Sequence, residues 1–233
     1  AASLNLADLY FQMAEFENAM LCLNKAMVQD KENASLLIKL SLVLQKQGLL
    51  EEARTILTDS SIIADTKTSI STALANILRD IGDFEGAIKI LGSLSSQDPG
   101  YPTKHANLGL IYQHQGELLK AEKFFRKALE KKPNNVPLHI NLAHTLLSGG
   151  QYEEGWKEFR WRQGQPKTSH YLSSLPGDQW EGCDLNGKSI LAACEQGAGD
   201  CFQFVRFLPL LIETAREVIL SVPPSLYQIF NES

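Results

Sequence analysis

The stretch from Pro102 to Asn135, PTKHANLGLIYQHQGELLKAEKFFRKALEKKPNN, decides how the rest of this 233-residue chain is read. Within it Leu108, Gly109, Tyr112, Gly116, Ala121, Phe125, Ala128 and Pro133 set large, small and turn-forming residues along two helical runs joined at a glycine. A shift of 34 residues in either direction meets the same kinds of residue. Ala19, Ala53, Ala87, Ala121 and Gly155 form one column, and Leu6, Leu40, Leu74, Leu108 and Leu142 a second. Tyr10, Leu44, Leu78, Tyr112 and Leu146 form a third, and Leu23, Leu57, Leu91, Phe125 and Phe159 a fourth. Four columns in register at a fixed period mark a stacked array of helix pairs.

Each column has a mechanical reason. Antiparallel helices approach closely only where one side chain is nearly absent, and the large residues then fill the flanking space. The turn column Ala14, Gly48, Gly82, Gly116 and Gly150 supplies residues that end the first helix in the left-handed conformation, and Ala14 is expected to weaken its turn. In this order of residues the chain resembles the tetratricopeptide repeat, in five units of about 1–33, 34–67, 68–101, 102–135 and 136–163. The second unit fits least well, with Ser60 and Asp65 where the fourth has Ala128 and Pro133. The resemblance implies a mainly α protein whose residues 1–163 form a right-handed superhelical solenoid that binds a polypeptide.

Composition narrows the partner. A net charge of -5 provides no basic field for a phosphate backbone or an anionic membrane. Cys22, Cys183, Cys194 and Cys201 contain no CxxC pair and read as free thiols of a reducing compartment, so a cytoplasmic location is expected. The apolar run Phe202–Ala215 is broken by Arg206, Pro209 and Glu213 and is too short to span a bilayer. The chain opens at Ala1 without a secretion-type leader and is expected to be part of a longer protein.

The concave face of such a solenoid is lined by the first helix of each pair. Just before each first-helix leucine stand Asn5, Lys39, Ala73, Asn107 and Asn141. A carboxamide both donates and accepts, which suits it to the backbone of an extended ligand, and the column resembles the asparagine ladder of O-linked N-acetylglucosamine transferases. The alternative is an ordinary solvated helix position. Asp8, Gln12, Gln45, Asn76, Arg79, Gln113, His114 and His144 are further groove candidates. No Lys/Arg pairing suits a C-terminal carboxylate, and the five histidines show no metal spacing, so no metal is expected. Self-association through the open repeat ends is a third option.

Beyond Arg162 the period stops. Residues 164–187 read as a turn-rich connector, and 188–233 as a truncated α/β Rossmann-like βαβ unit. Lys188–Cys194 is expected as a strand, Asp200–Ala215 as a helix, Glu217–Val222 as a second strand, with a further helix after Pro223. The intervening EQGAGD has Phe202 where a dinucleotide fingerprint needs glycine. The segment WEGCDLNGKSILAACEQGAGDCFQFVRFLPLL resembles the junction where bacterial tetratricopeptide repeats enter a glycosyltransferase-like domain of two Rossmann units, and more distantly the heptosyltransferases. That resemblance implies Asp200 as a general base toward a sugar hydroxyl, with Glu195, Gln196, Gly197 and Gly199 in the acceptor loop. Asp200 capping a helix is the competing reading. A nucleotide-sugar would need a second Rossmann unit, so no cofactor is expected here and the chain alone should not turn over. Trp156, Trp161 and Trp180 are expected to pack where repeats and tail meet.

Overall fold

The computed structural model describes residues 2–28, 30, 33–59, 67–95, 101–164, 174–194 and 197–231. The chain divides into two compact units, Ala1–Gln165 and Pro166–Ser233. In the first, five helix pairs follow one another: α1 (Ala2–Gln12) with α2 (Phe16–Met27), α3 (Ala34–Lys46) with α4 (Leu50–Asp59), α5 (Lys67–Ile81) with α6 (Phe84–Gly92), α7 (Tyr101–His114) with α8 (Leu118–Lys131), and α9 (Val136–Ser148) with α10 (Tyr152–Phe159). A 3-10 turn, Arg160–Gly164, closes the unit.

The turn column does the same work five times. Ala14, Gly48, Gly82, Gly116 and Gly150 have φ of 59°, 79°, 94°, 75° and 77°. The next residue then donates its N–H to a carbonyl five positions back: Glu15 to Tyr10, Leu49 to Leu44, Asp83 to Leu78, Glu117 to Tyr112 and Gln151 to Leu146, at 2.8–2.9 Å. This is the Schellman arrangement, which satisfies carbonyls otherwise orphaned at a helix end. Ala14 therefore keeps the turn rather than losing it, at a left-handed cost of about 1 kcal/mol for a residue with a Cβ. Helix starts repeat too: the Asn33 carboxamide oxygen accepts from the N–H groups of Ser35 and Leu36, and that of Asn135 from Leu138.

The small-residue column is fully enclosed, with Ala19, Ala53, Ala87 and Ala121 at zero exposure. A Cβ on Gly155 would meet Leu147 Cδ2 at 2.8 Å and the Leu147 backbone nitrogen at 3.1 Å, so this repeat tolerates nothing larger than glycine there. One core expectation fails. Leu40, Leu74, Leu108 and Leu142 are buried at 8% exposure or less, whereas Leu6 of the same column is 43% exposed. Each later first helix packs on the second helix of the preceding pair, and α1 has no such neighbour among the described residues.

In the second unit β1 (Ser189–Ala193) lies parallel to β2 (Glu217–Ser221), with Ser189 opposite Glu217 and Ala193 opposite Ser221. The single helix expected from Asp200 to Ala215 is two, α11 (Ala198–Val205) and α12 (Leu208–Ile212). Pro209 explains the break: it lacks an N–H and its ring clashes with the turn before it, so it sits at the start of a new helix. A final helix, α13 (Tyr227–Asn231), follows a short 3-10 turn. Among the described residues the unit thus holds a small two-stranded parallel sheet, its strands lying within the two expected, and it leaves Phe202, Phe204, Phe207, Leu210 and Ile212 exposed. Leu185, within the expected connector, is buried. Among the described residues no helix is long and apolar enough to cross a membrane.

Candidate functional groove

Side chains on the first helices line two adjoining cavities. One, of about 560 Å³, is bordered by Ala7, Asp8 and Phe11 of α1, Leu23 of α2, residues of α3, and Ser69 of α5. The other, of about 280 Å³, runs from Ile38, Leu42 and Gln45 of α3 across Thr72, Ala73 and Asn76 of α5 to Thr103 of α7. They share Ile38, Leu42 and Ser69, so the two form a continuous groove across the first four repeats.

The lining keeps the 34-residue step. Ser35, Ser69 and Thr103 form a column of hydroxyls, one helical turn before the column of Lys39, Ala73 and Asn107. Asp8, Leu42 and Asn76 form another, two residues beyond the core leucines. The asparagine column read from the sequence therefore borders the groove through Lys39 and Ala73, the two members that are not asparagine. The hydroxyl column and the apolar pair Ile38 and Leu42 were missed. Both lie at positions that repeat beside the core columns, which is the signal that marks them in the sequence.

Several expected groove residues are already engaged. Lys39 Nζ pairs with Asp8 Oδ1, joining α1 to α3, and Gln45 Nε2 donates to Asp80 Oδ2, joining α3 to α5. Arg79 holds the same Asp80 carboxylate at 2.7 Å. Gln113 Nε2 donates to Thr145 Oγ1 at 3.0 Å, and Thr145 in turn donates to the Asn141 carbonyl at 2.9 Å. Lys39–Asp8, Gln45–Asp80 and Gln113–Thr145 stitch neighbouring first helices, while Arg79–Asp80 lies within α5.

The remaining assignments scatter. Asn5 and Gln12 are exposed on α1. Asn107 is buried at 6% exposure, and its Nδ2 has no hydrogen-bond partner, an uncommon state for a buried donor. It stands one turn beyond Thr103 on α7. Asn141 is half-buried, and His114 and His144 are exposed, the latter edge-on to Phe159 with centroids 5.7 Å apart. His139, by contrast, is a packing residue: it pairs with Glu158, meets the Pro133 carbonyl at 2.7 Å and stacks on Trp161 at 3.9 Å. Trp156 is half exposed, and Trp180 donates to the Cys183 carbonyl at 2.7 Å within the second unit.

In the loop after β1, Glu195 and Gln196 lie outside the described residues. Gly197 is the N-cap of α11, and Asp200 sits in its first turn, where a carboxylate complements the helix dipole. A Cβ on Gly197 or Gly199 would meet nothing within 4 Å, so this chain itself does not require glycine there. Cys194 and Cys201 share a hydrogen bond, and burial, reinforced by that bond, pushes the Cys194 thiol up to about 11. Among the described residues no group of His, Cys, Asp and Glu could hold a metal ion.

Comparison with known proteins places this geometry. Models of the tetratricopeptide repeat match residues 1–32, 103–135 and 124–157. Tetratricopeptide repeats thus build the first unit, and they are compatible with protein–protein interaction. The protein FlbA of Caulobacter vibrioides is 27% identical over 143 residues, covering 60% of this chain and 24% of its own. The repeat-containing protein YpiA of Bacillus subtilis is 24% identical over 113 residues, covering 48% and 27%. The chain therefore spans about a quarter of the length of the curated relatives it matches.

Solved structures share the fold. A thermophilic tetratricopeptide protein of Thermus thermophilus superposes with a TM-score of 0.64 at 20% identity, covering 74% of this chain and 94% of that one. PilF of Pseudomonas aeruginosa gives 0.58 at 22% identity, covering 73% and 79%, and the MamA protein gives 0.51 at 21%, covering 76% and 97%. None of these proteins is named as a glycosyltransferase, and the matched family models end at residue 157.

Proposed function

We propose that the repeats hold an extended polypeptide along the groove of the first four first helices. The observation that carries this reading is the pair of cavities joined at Ile38, Leu42 and Ser69. Phe11, Ile38 and Leu42 supply an apolar pocket for one ligand side chain. Ser69, Thr72, Asn76 and Thr103 offer donors and acceptors to the backbone that follows. Asn107 follows one turn beyond Thr103 with its Nδ2 buried, and Asn5 and Asn141 continue its column in the first and fifth repeats. Peptides selected from a random displayed library on the wild-type chain test this. Leu42→Asp should weaken the selected peptides at least tenfold, with the melting temperature kept. Undiminished binding by Leu42→Asp rejects the groove.

A recruiting role for these repeats within a longer glycosyltransferase-like protein is a second reading, and one observation favours it. The parallel crossover sets the turn of Gly197, Gly199 and Asp200 at the carboxyl end of β1, where open α/β sheets bind ligands. The test is transfer from labelled nucleotide-sugars by the longer polypeptide and its Asp200→Asn variant. Absence of transfer, or equal transfer by both, removes Asp200 from the chemistry.

A further inference from the structure

Taking the groove to hold an extended polypeptide, as proposed above, we infer that Asp8 and Lys39 act there as a charge filter, so that the ligand is uncharged where it crosses from α1 to α3. Among the described residues lining the two cavities, Asp8 and Lys39 are the only charged ones, and they are bonded to each other. The remaining polar groups are neutral, among them the hydroxyls of Ser35, Ser69 and Thr103 and the carboxamide of Asn76. The Asp80 carboxylate, which Gln45 reaches from the lining, is held by Arg79 at 2.7 Å. A lining whose charges cancel thus stands in a chain of which 21% is charged and whose net charge is -5.

Helix packing does not call for this pair, as the 34-residue period shows. At the position of Asp8 the later repeats carry Leu42, Asn76, Leu110 and His144, and at that of Lys39 the others carry Asn5, Ala73, Asn107 and Asn141. No other repeat has a carboxylate at the first position or a lysine or arginine at the second. The single acid and the single lysine fall in adjacent repeats, where Nζ meets Oδ1. Their side chains are 49% and 31% exposed, and an ion pair so open to water adds little to stability. What it sets is the charge presented beside the apolar lining of Phe11, Ile38 and Leu42.

An acidic ligand side chain gains a partner here only by taking Lys39 from Asp8, and a basic one only by taking Asp8 from Lys39. Either exchange leaves one groove charge unpaired, and the entering charge also gives up water beside apolar side chains. An uncharged side chain leaves the pair closed. The penalty therefore falls on both signs, whereas a single free charge would repel one sign and attract the other.

The test takes a peptide selected on the wild-type 233-residue chain and replaces each of its uncharged residues in turn by glutamate and by lysine, with dissociation constants read by fluorescence anisotropy. At one position or two adjacent ones, both charges should weaken binding by about tenfold or more. Asp8→Asn, which frees Lys39, should restore the glutamate peptide there and leave the lysine peptide weak. Lys39→Gln should do the reverse, and the exchanged pair, Asp8→Lys with Lys39→Asp, should keep the wild-type profile. A wild-type chain that accepts either charge at every position, or single variants that both keep the wild-type profile, overturns the filter. Peptides that bind Leu42→Asp undiminished would remove the groove itself and the filter with it, whereas peptides sensitive to Leu42→Asp but indifferent to charge overturn the filter alone.

Discussion

The ring of Phe125 occupies the space that a side chain on Gly109 would need: a Cβ there would stand 2.6 Å from Phe125 Cε1 and 2.7 Å from Cδ1. Phe125 is fully buried in α8, so it cannot swing outward to make room. The fourth repeat, where the first three units place Leu23, Leu57 and Leu91, accommodates a larger aromatic by removing the opposing side chain. Gly109→Ala should therefore destabilise the chain by about 2 kcal/mol through overpacking, despite alanine's better helix propensity. Adding Phe125→Leu should recover part of that loss, which thermal melts of the two single variants and the double variant will show.

Ala14 holds the same backbone shape as four glycines at φ 59°. Ala14→Gly should raise stability by about 1 kcal/mol, offset in part by the added freedom of the unfolded chain. Denaturant melts that show a loss instead would mean that the alanine side chain makes a contact worth more than its strain.

Repeats four and five are joined by Arg126, which donates to Glu154 and to Glu122, each at 2.9 Å. The hydrogen bond from Arg126 holds the Glu154 carboxyl below its ordinary 4.5, and the pairing with Glu154 raises Arg126 further. Because the folded value of Glu154 is depressed, its contribution is complete above pH 4.5 and is lost as pH falls through the folded value. Both side chains are nearly half exposed, so Glu154→Gln should cost only about 0.5 kcal/mol at neutral pH. The difference in melting temperature from wild type should persist from neutral pH to about pH 5 and shrink below about pH 4.

The Cys194 thiol, pushed up to about 11 by burial and by Cys201, is about one part in a thousand thiolate at pH 8. Iodoacetamide at that pH should label the exposed Cys183 first, followed by mass spectrometry of the peptides. Labelling of Cys194 should speed up roughly tenfold per pH unit up to about pH 10. Equal rates for the two thiols at pH 8 would contradict the buried environment assigned to Cys194.

The repeats were legible in the sequence because each core column answers one local demand: a missing side chain at Ala53 or Gly155, a left-handed turn at Gly48 or Gly116. Those demands recur unchanged, so a period exposes them. The groove was half legible. Asp8, Gln45 and Asn76 were found as positions on the right face, but whether Asp8 is free or bound to Lys39 depends on how adjacent repeats rotate, and no period encodes that. The exposure of Leu6 was hidden for a similar reason: the column predicts what the residue is, while burial depends on its neighbour. In the second unit, Pro209 marked the break in the helix, yet the apolar run around it read as continuous.

The groove is tested most directly by placing a photo-crosslinking benzoylphenylalanine at Leu42, and separately at the exposed Lys123 on α8, and illuminating each with a library-selected peptide. The account predicts a covalent adduct at position 42, suppressed by excess unlabelled peptide, and none at 123. An adduct at 123 with none at 42 would place the bound polypeptide on the second helices and contradict the groove.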